Sequence, residues 1–223
     1  MHRKRNMIIT YIFILFIFPV IMSIAALFAA DRGYIPKLER NDLLYYINIF
    51  SYTLIPFLCF IILRSDFSSD IKKMGKHLLK VIPFVLIVFA TSILGNIAIN
   101  YFDHTSTTAN QQMLQQLQAT NMYFTTYMTV VAAPIAEESV FRCSLISTRG
   151  GFMGFVMLII SSALFSLVHL QSITIGAFIA YALIGVVLGI IYMKYRNLVL
   201  NILVHSGYNA LSIILSILLK NYL

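Results

Sequence analysis

Apolar residues run in blocks of about twenty along most of this chain, and charged or polar residues break the blocks at short intervals. The blocks fall at 7–30, 43–63, 81–102, 123–147, 152–170, 173–193 and 197–219. A helix needs about 20 apolar residues to cross a hydrocarbon core, so each block is long enough to span a bilayer. Inside the bilayer every backbone N–H and C=O must be paired within its own segment, which makes helices the expected form. The pattern therefore predicts an all-α fold, a multi-span transmembrane helical bundle of about seven spans. The first block follows the basic stretch HRKR and contains Ser23-Ile24-Ala25, as a signal peptide would, but its apolar run is too long for one and reads as a span.

Composition sharpens this picture. Hydrophobic residues make up 60% of the chain and charged residues 11%, against about a quarter charged in soluble domains. The spans use up the 223 residues, so 1–223 is read as a single integral membrane domain. Its two cysteines, Cys59 and Cys143, fall in separate apolar spans and suggest neither a disulfide nor a CxxC-type metal site. The polar segment 106–121, STTANQQMLQQLQATN, predicts an exposed loop carrying a short surface helix.

The net charge of +8 does not point to nucleic acid, because the basic residues form no groove-like patch with interleaved aromatics. They alternate with the spans. Arg3, Lys4 and Arg5, then Arg64, Lys72, Lys73, Lys76 and Lys80, then Arg149, then Lys194 and Arg196 flank every second loop. The other side receives only Arg32, Lys37, Arg40 and Lys220. The positive-inside rule then predicts a multi-pass protein of the cell membrane with its N-terminus in the cytoplasm and its C-terminus outside. Within 64–80, the stretch DIKKMGKHLLKV resembles an amphipathic basic helix that could lie on anionic lipid, but ordinary topology-setting charge is the better account of it.

Against this apolar background the ionisable residues stand out. Of eight acidic residues, only Glu137 and Glu138 lie within a span; of five histidines, only His169 and His205 do; Arg142 completes the set. A charge at the centre of a spanning helix costs roughly 2.5–3.5 kcal/mol on insertion scales, and such groups pair with one another or face a wet cavity. One polar site formed by spans 4, 5 and 7 is the economical arrangement. Glu138 and Arg142 are four residues apart with the acid first, the favourable order for an ion pair on one helix face. Glu137 points about 100° away from Glu138 and is left as the unpaired carboxylate.

FSLVHL puts Phe165 and His169 on one face, so that the ring walls the pocket beside the imidazole, and HSGYN does the same for His205 and Asn209. Together the set offers a carboxylate able to deprotonate water, imidazoles able to hold that water or a metal, and donors for an oxyanion. His169 ends its span near the outer face while Glu137 lies deeper. Either the span limits differ from those above, or the turn 170–173 dips into the bundle, where non-helical backbone is tolerated only beside protein or a wet cavity.

At these residues the sequence resembles the CPBP family of intramembrane proteases, also called the CAAX endopeptidase and Abi family. Its motifs EExxxR, FxxxH and HxxxN occur in order as Glu137 to Arg142, Phe165 to His169 and His205 to Asn209, inside a motif-bearing core of about 123–215. The resemblance implies a peptidase that cleaves a membrane-associated protein or peptide, with the lipid bilayer as its other partner. By position, Glu137 would be the water-activating base, His169 its partner, and His205 with Asn209 the oxyanion side; Glu138 and Arg142 would support the scaffold. The same family includes scaffolding and bacteriocin self-immunity proteins, so a catalytically idle member is the alternative. A transporter would show broken helices or paired repeats, and neither is found.

Two mechanisms remain open from the residues. Glu137, His169 and His205 could form a His₂Glu zinc site, or the same residues could work without metal. Each of the three comes from a different span, unlike the rigid HExxH helix, and no second unpaired acid exists to act as base beside a metal-bound carboxylate. The expectation is no cofactor, with zinc as the alternative.

Overall fold

A computed structural model describes residues 2–33, 40–146 and 151–220, and among them it is helical throughout, with no strand. The helices are α1 (His2–Ile12), α2 (Phe18–Asp31), α3 (Arg40–Ile62), α4 (Arg64–Lys73), α5 (Val81–Ala98), α6 (Ala109–Thr120), α7 (Met122–Tyr127), α8 (Ala133–Glu137), α9 (Gly151–Val168), α10 (Ile175–Tyr195) and α11 (Leu198–Lys220). Among the described residues six stretches are long and apolar enough to cross a membrane: Arg5–Asp31, Tyr45–Ile62, Leu78–Asp103, Gly151–Val168, Ile175–Tyr195 and Leu198–Leu218. The fourth block of the sequence is helical too, from Met122 to Ile146, but its glutamates, arginine and threonines make it less apolar than the six. It is the inner helix instead. Pro134 to Cys143 are all buried, so its polar side chains are shielded from lipid by neighbouring helices.

Small residues set how closely those neighbours approach. A Cβ on Gly95 of α5 would lie 2.9 Å from the Ala180 Cβ of α10, and one on Gly185 would lie 3.0 Å from the Ser162 Cα of α9. Lipid tails give helices no hydrophobic reason to associate, so close van der Waals packing at such positions holds the bundle together. On the opposite side, Met7, Tyr11 and Ile14 of the first span are buried against the inner helix, while most of that span is exposed, as a lipid-facing surface would be.

The polar segment 106–121 does carry a short helix, α6. Thr108 caps it: its side chain accepts from Gln111 N–H while the Gln111 side chain accepts from Thr108 N–H, a reciprocal capping box. The expected surface character holds only in part, because Thr108 itself is buried. The basic stretch 70–81 is not one helix. α4 ends at Lys73 and two 3₁₀ turns, Met74–Lys76 and Leu78–Lys80, carry the chain past Gly75 to α5. Asp70, expected in a loop, is buried and accepts from the first backbone N–H of α11, that of Leu198, at 2.7 Å. Burial pushes its carboxyl above the usual range, and the Leu198 N–H pulls the other way.

Cys59 and Cys143 are both buried and not joined in a disulfide. Of the basic residues used to read topology, Lys37 and Arg149 lie outside the described residues, as do the side chains of Arg3, Lys4, Arg40 and Lys220.

Candidate active site

The inner helix is not regular. Two wide π-helical stretches, Met128–Ala132 and Glu138–Ile146, bracket the short α8 that ends at Glu137. Pro134 opens α8, and it has no N–H to donate. In both π stretches a backbone carbonyl takes a side-chain donor from another helix. Thr129 O accepts from Asn209 Nδ2 of α11 at 2.7 Å, and Phe141 O accepts from Ser161 Oγ of α9 at 2.5 Å. π-bulges of this kind occur mostly at functional sites, because the added residue re-aims the side chains around it.

Glu138 is the hub of the buried polar network. Its Oε2 lies 3.3 Å from Arg142 Nε and accepts from Asn201 Nδ2 at 3.1 Å, while Oε1 lies 3.0 Å from His205 Nδ1. Two hydrogen-bonding side chains and one cation thus converge on one fully buried carboxyl. The Arg142 guanidinium also lies over the Phe165 ring, 4.6 Å from its centroid, and reaches the Gly185 carbonyl at 3.5 Å. A guanidinium over an aromatic face is attracted by the ring quadrupole, an interaction that gains from the absence of water.

Glu137 has different surroundings. Its Oε1 is 3.7 Å from His169 Nε2 and its Oε2 is 3.9 Å from His205 Nε2, beyond hydrogen-bond range in both cases. Among the described residues Oε2 has no hydrogen-bond partner. The other nitrogen of each imidazole is already engaged. His169 Nδ1 lies 2.7 Å from the Phe165 carbonyl, which can only accept, so Nδ1 carries the hydrogen. His205 Nδ1 faces the Glu138 carboxyl and carries a hydrogen for the same reason. Both rings therefore turn Nε2 toward Glu137, a lone pair when the ring is neutral.

Phe165 joins the pieces. Its buried ring lies 4.5 Å from the His169 ring, 5.9 Å from that of His205 and 5.6 Å from Phe141. His169 follows α9 in a turn, its N–H bonded to Ser166 O, and its contact with Glu137 puts that turn at the depth of the inner helix. Beyond it Gln171, Ser172 and Ile173 are exposed, so His169 reaches the site while the rest of the turn 170–173 is not buried in the bundle.

The structure thus gathers Glu137, Glu138, Arg142, Phe165, His169 and His205 in one place. Asn209 sits one turn beyond His205 on α11 and commits one amide N–H to Thr129, which leaves the second N–H and the carbonyl oxygen. Two further residues belong to the site. Asn201 bridges Glu138 and the Leu188 carbonyl, the latter at 2.7 Å. Tyr181 of α10 stacks on the His169 ring, centroids 4.9 Å apart at 25°. Asn201 had a signal in the sequence: Asn197, Asn201, His205 and Asn209 recur every four residues, a polar stripe along an apolar helix. Tyr181, one aromatic residue in an apolar span, had none.

Among the described residues no group of three or more His, Cys, Asp or Glu side chains is arranged to hold a metal ion. No step below runs through a metal.

Residues 119–211 match the family described as Type II CAAX prenyl endopeptidase Rce1-like. The chain is 28% identical over 142 residues to UPF0177 protein YvdC of Lactococcus lactis, an alignment covering 64% of this chain and 54% of that protein. It thus spans about half the length of the curated relative it matches. No solved structure matches. The three motifs, in order and in contact, all fall inside the matched segment, so it is through residues 119–211 that the chain is similar to this family.

Proposed function

We propose that this chain is an intramembrane endopeptidase that hydrolyses a peptide bond in a membrane-associated protein or peptide by way of a glutamate-activated water. One observation carries the reading: the Glu137 carboxyl faces two imidazole Nε2 atoms at 3.7 and 3.9 Å, while each Nδ1 is tied to another group. Gaps of that size between polar atoms suit a bridging water.

A water that donates one hydrogen to Glu137 and the other to His169 Nε2 has its oxygen lone pair directed away from both, toward a substrate carbonyl. Attack forms the new C–O bond as the proton passes to Glu137. The carbonyl oxygen becomes an oxyanion, and its donors are the second amide N–H of Asn209 and, when the ring is doubly protonated, His205 Nε2–H. Collapse breaks the C–N bond, and the proton held by Glu137 goes to the leaving amine.

The test is purified protein incubated with a peptide library, wild type beside Glu137→Ala, and read by mass spectrometry. Cleavage by wild type alone supports the reading. No cleavage by a folded wild type in lipid supports the idle scaffold or self-immunity role instead.

A further inference from the structure

We propose that Tyr181 is a positioning residue that holds the His169 imidazole and makes the state of the polar helix α6 part of the active site. The proposal rests on the peptidase reading for its consequence in turnover, but not for its geometry.

His169 lies beyond the end of α9, and among the described residues its polar ties are the backbone bond to Ser166 O, the Nδ1 bond to Phe165 O and the long approach to Glu137. The ring therefore depends on its aromatic walls to keep Nε2 aimed. Phe165 is one wall, and it is fixed by burial. Tyr181 is the other, stacked at 4.9 Å.

Tyr181 is in turn pinned from outside the core. Its hydroxyl pairs with Thr108 Oγ1 at 2.9 Å and accepts from Asn110 Nδ2 at 3.1 Å. Thr108 is the cap of α6 and Asn110 sits in its first turn, so both partners are in place only while that end of α6 is folded. A small cavity adjoins the phenol, lined in part by Ser92, Asn96, Gln111 and Tyr208. Without those two bonds the Tyr181 ring loses its polar anchor at the α6 end, and His169 loses the support of one wall. The chain of contact runs from α6 through a phenol to the imidazole. Anything that binds or unwinds the start of α6 would thereby act on the site.

The experiment uses full-length protein in detergent with ¹³C-labelled histidine, the His169 resonance being identified by its loss in His169→Gln. Stacking should hold the wild-type His169 ring signals upfield. Tyr181→Leu should move them downfield. Tyr181→Phe keeps the stack and loses the tether, so the signals should stay in place and broaden, and the double variant Thr108→Val/Asn110→Ala should broaden them in the same way. His205 should be unmoved in all three. In the cleavage assay Tyr181→Phe should lower kcat about 5–10-fold with KM unchanged, the effect of losing the hydroxyl's two hydrogen bonds behind an imidazole that acts in the transition state.

Unmoved His169 signals in folded Tyr181→Leu would overturn the proposal, as would His205 signals that shift equally, since that is general loosening. If Tyr181→Leu does not fold, the other two variants decide, and sharp His169 signals in both would overturn the link to α6. Because the spectra need no substrate, a wild type without peptidase activity would refute the proposed function and leave this test intact.

Discussion

Glu137 and Glu138 are neighbours in sequence, yet the Arg142 cation, Asn201 and His205 converge on Glu138 while one oxygen of Glu137 has no hydrogen-bond partner among the described residues. Substitution should separate them. Glu137→Gln keeps size and polarity and removes the base, so cleavage should fall below detection while the unfolding temperature in detergent stays near wild type. Glu138→Ala leaves Arg142 buried without its counter-charge, a loss of about 3–5 kcal/mol. It also releases His205 Nδ1, so the loss of stability should come with a fall in kcat. Thermal unfolding and peptide mass spectrometry on the same preparations read both quantities. Purely structural damage of equal size from the two substitutions would rule out this division. A second expectation at this scale concerns metal. A proton pathway through Glu137 alone predicts that cleavage persists after dialysis against a chelator; activity lost to the chelator and restored by Zn²⁺ would replace the scheme.

Among the elements, α11 carries the most information. Its stripe of Asn197, Asn201, His205 and Asn209 faces successive partners: Asn197 Nδ2 donates to the Asp70 carbonyl at 3.0 Å, Asn201 and His205 reach Glu138, and Asn209 reaches Thr129. The registry of α11 against the inner helix is therefore fixed at several heights, which places His205 without any bond to the reacting group. Asp70 sets the starting point of the stripe by capping Leu198 N–H. Asp70→Ala should cost about 0.5–2 kcal/mol, the usual effect of losing a helix cap. It should also lower kcat more than KM is altered, because α11 can then shift along its axis. Loss of stability with unchanged kcat would show that the other anchors suffice.

The motifs were legible because i, i+4 spacing on a helix is a local rule, and it correctly put Glu138 beside Arg142 and Phe165 beside His169. What local rules could not supply was the second set of partners. The bond from His205 to Glu138, the one from Asn209 to Thr129 and the Tyr181 stack all join residues far apart in sequence. The π turns were equally hidden, because their widened geometry is settled by cross-helix donors such as Ser161. The approach of His169 to Glu137 is a tertiary contact too, which is why span limits alone left two alternatives for His169.

For the whole molecule the apolar blocks were read within a few residues, since the length needed to cross a bilayer is a property of one segment and needs no knowledge of its neighbours. Orientation is a separate question, and it rests on charge. Lys72, Lys73, Lys76 and Lys80 cluster on one side of the span Leu78–Asp103, and the uncharged α6 lies on the other. Lysine-rich loops stay in the cytoplasm, so a reporter fused after Lys73 should read cytoplasmic and one fused after Gln116 should read external. A single span lies between these two points, which makes the pair independent of how the inner helix is counted. With that orientation α6, Tyr181's anchor, faces the outside, and an agent confined to the exterior could reach it. If both reporters fall on one side, Leu78–Asp103 does not cross, and both the orientation and the external access to α6 are lost together.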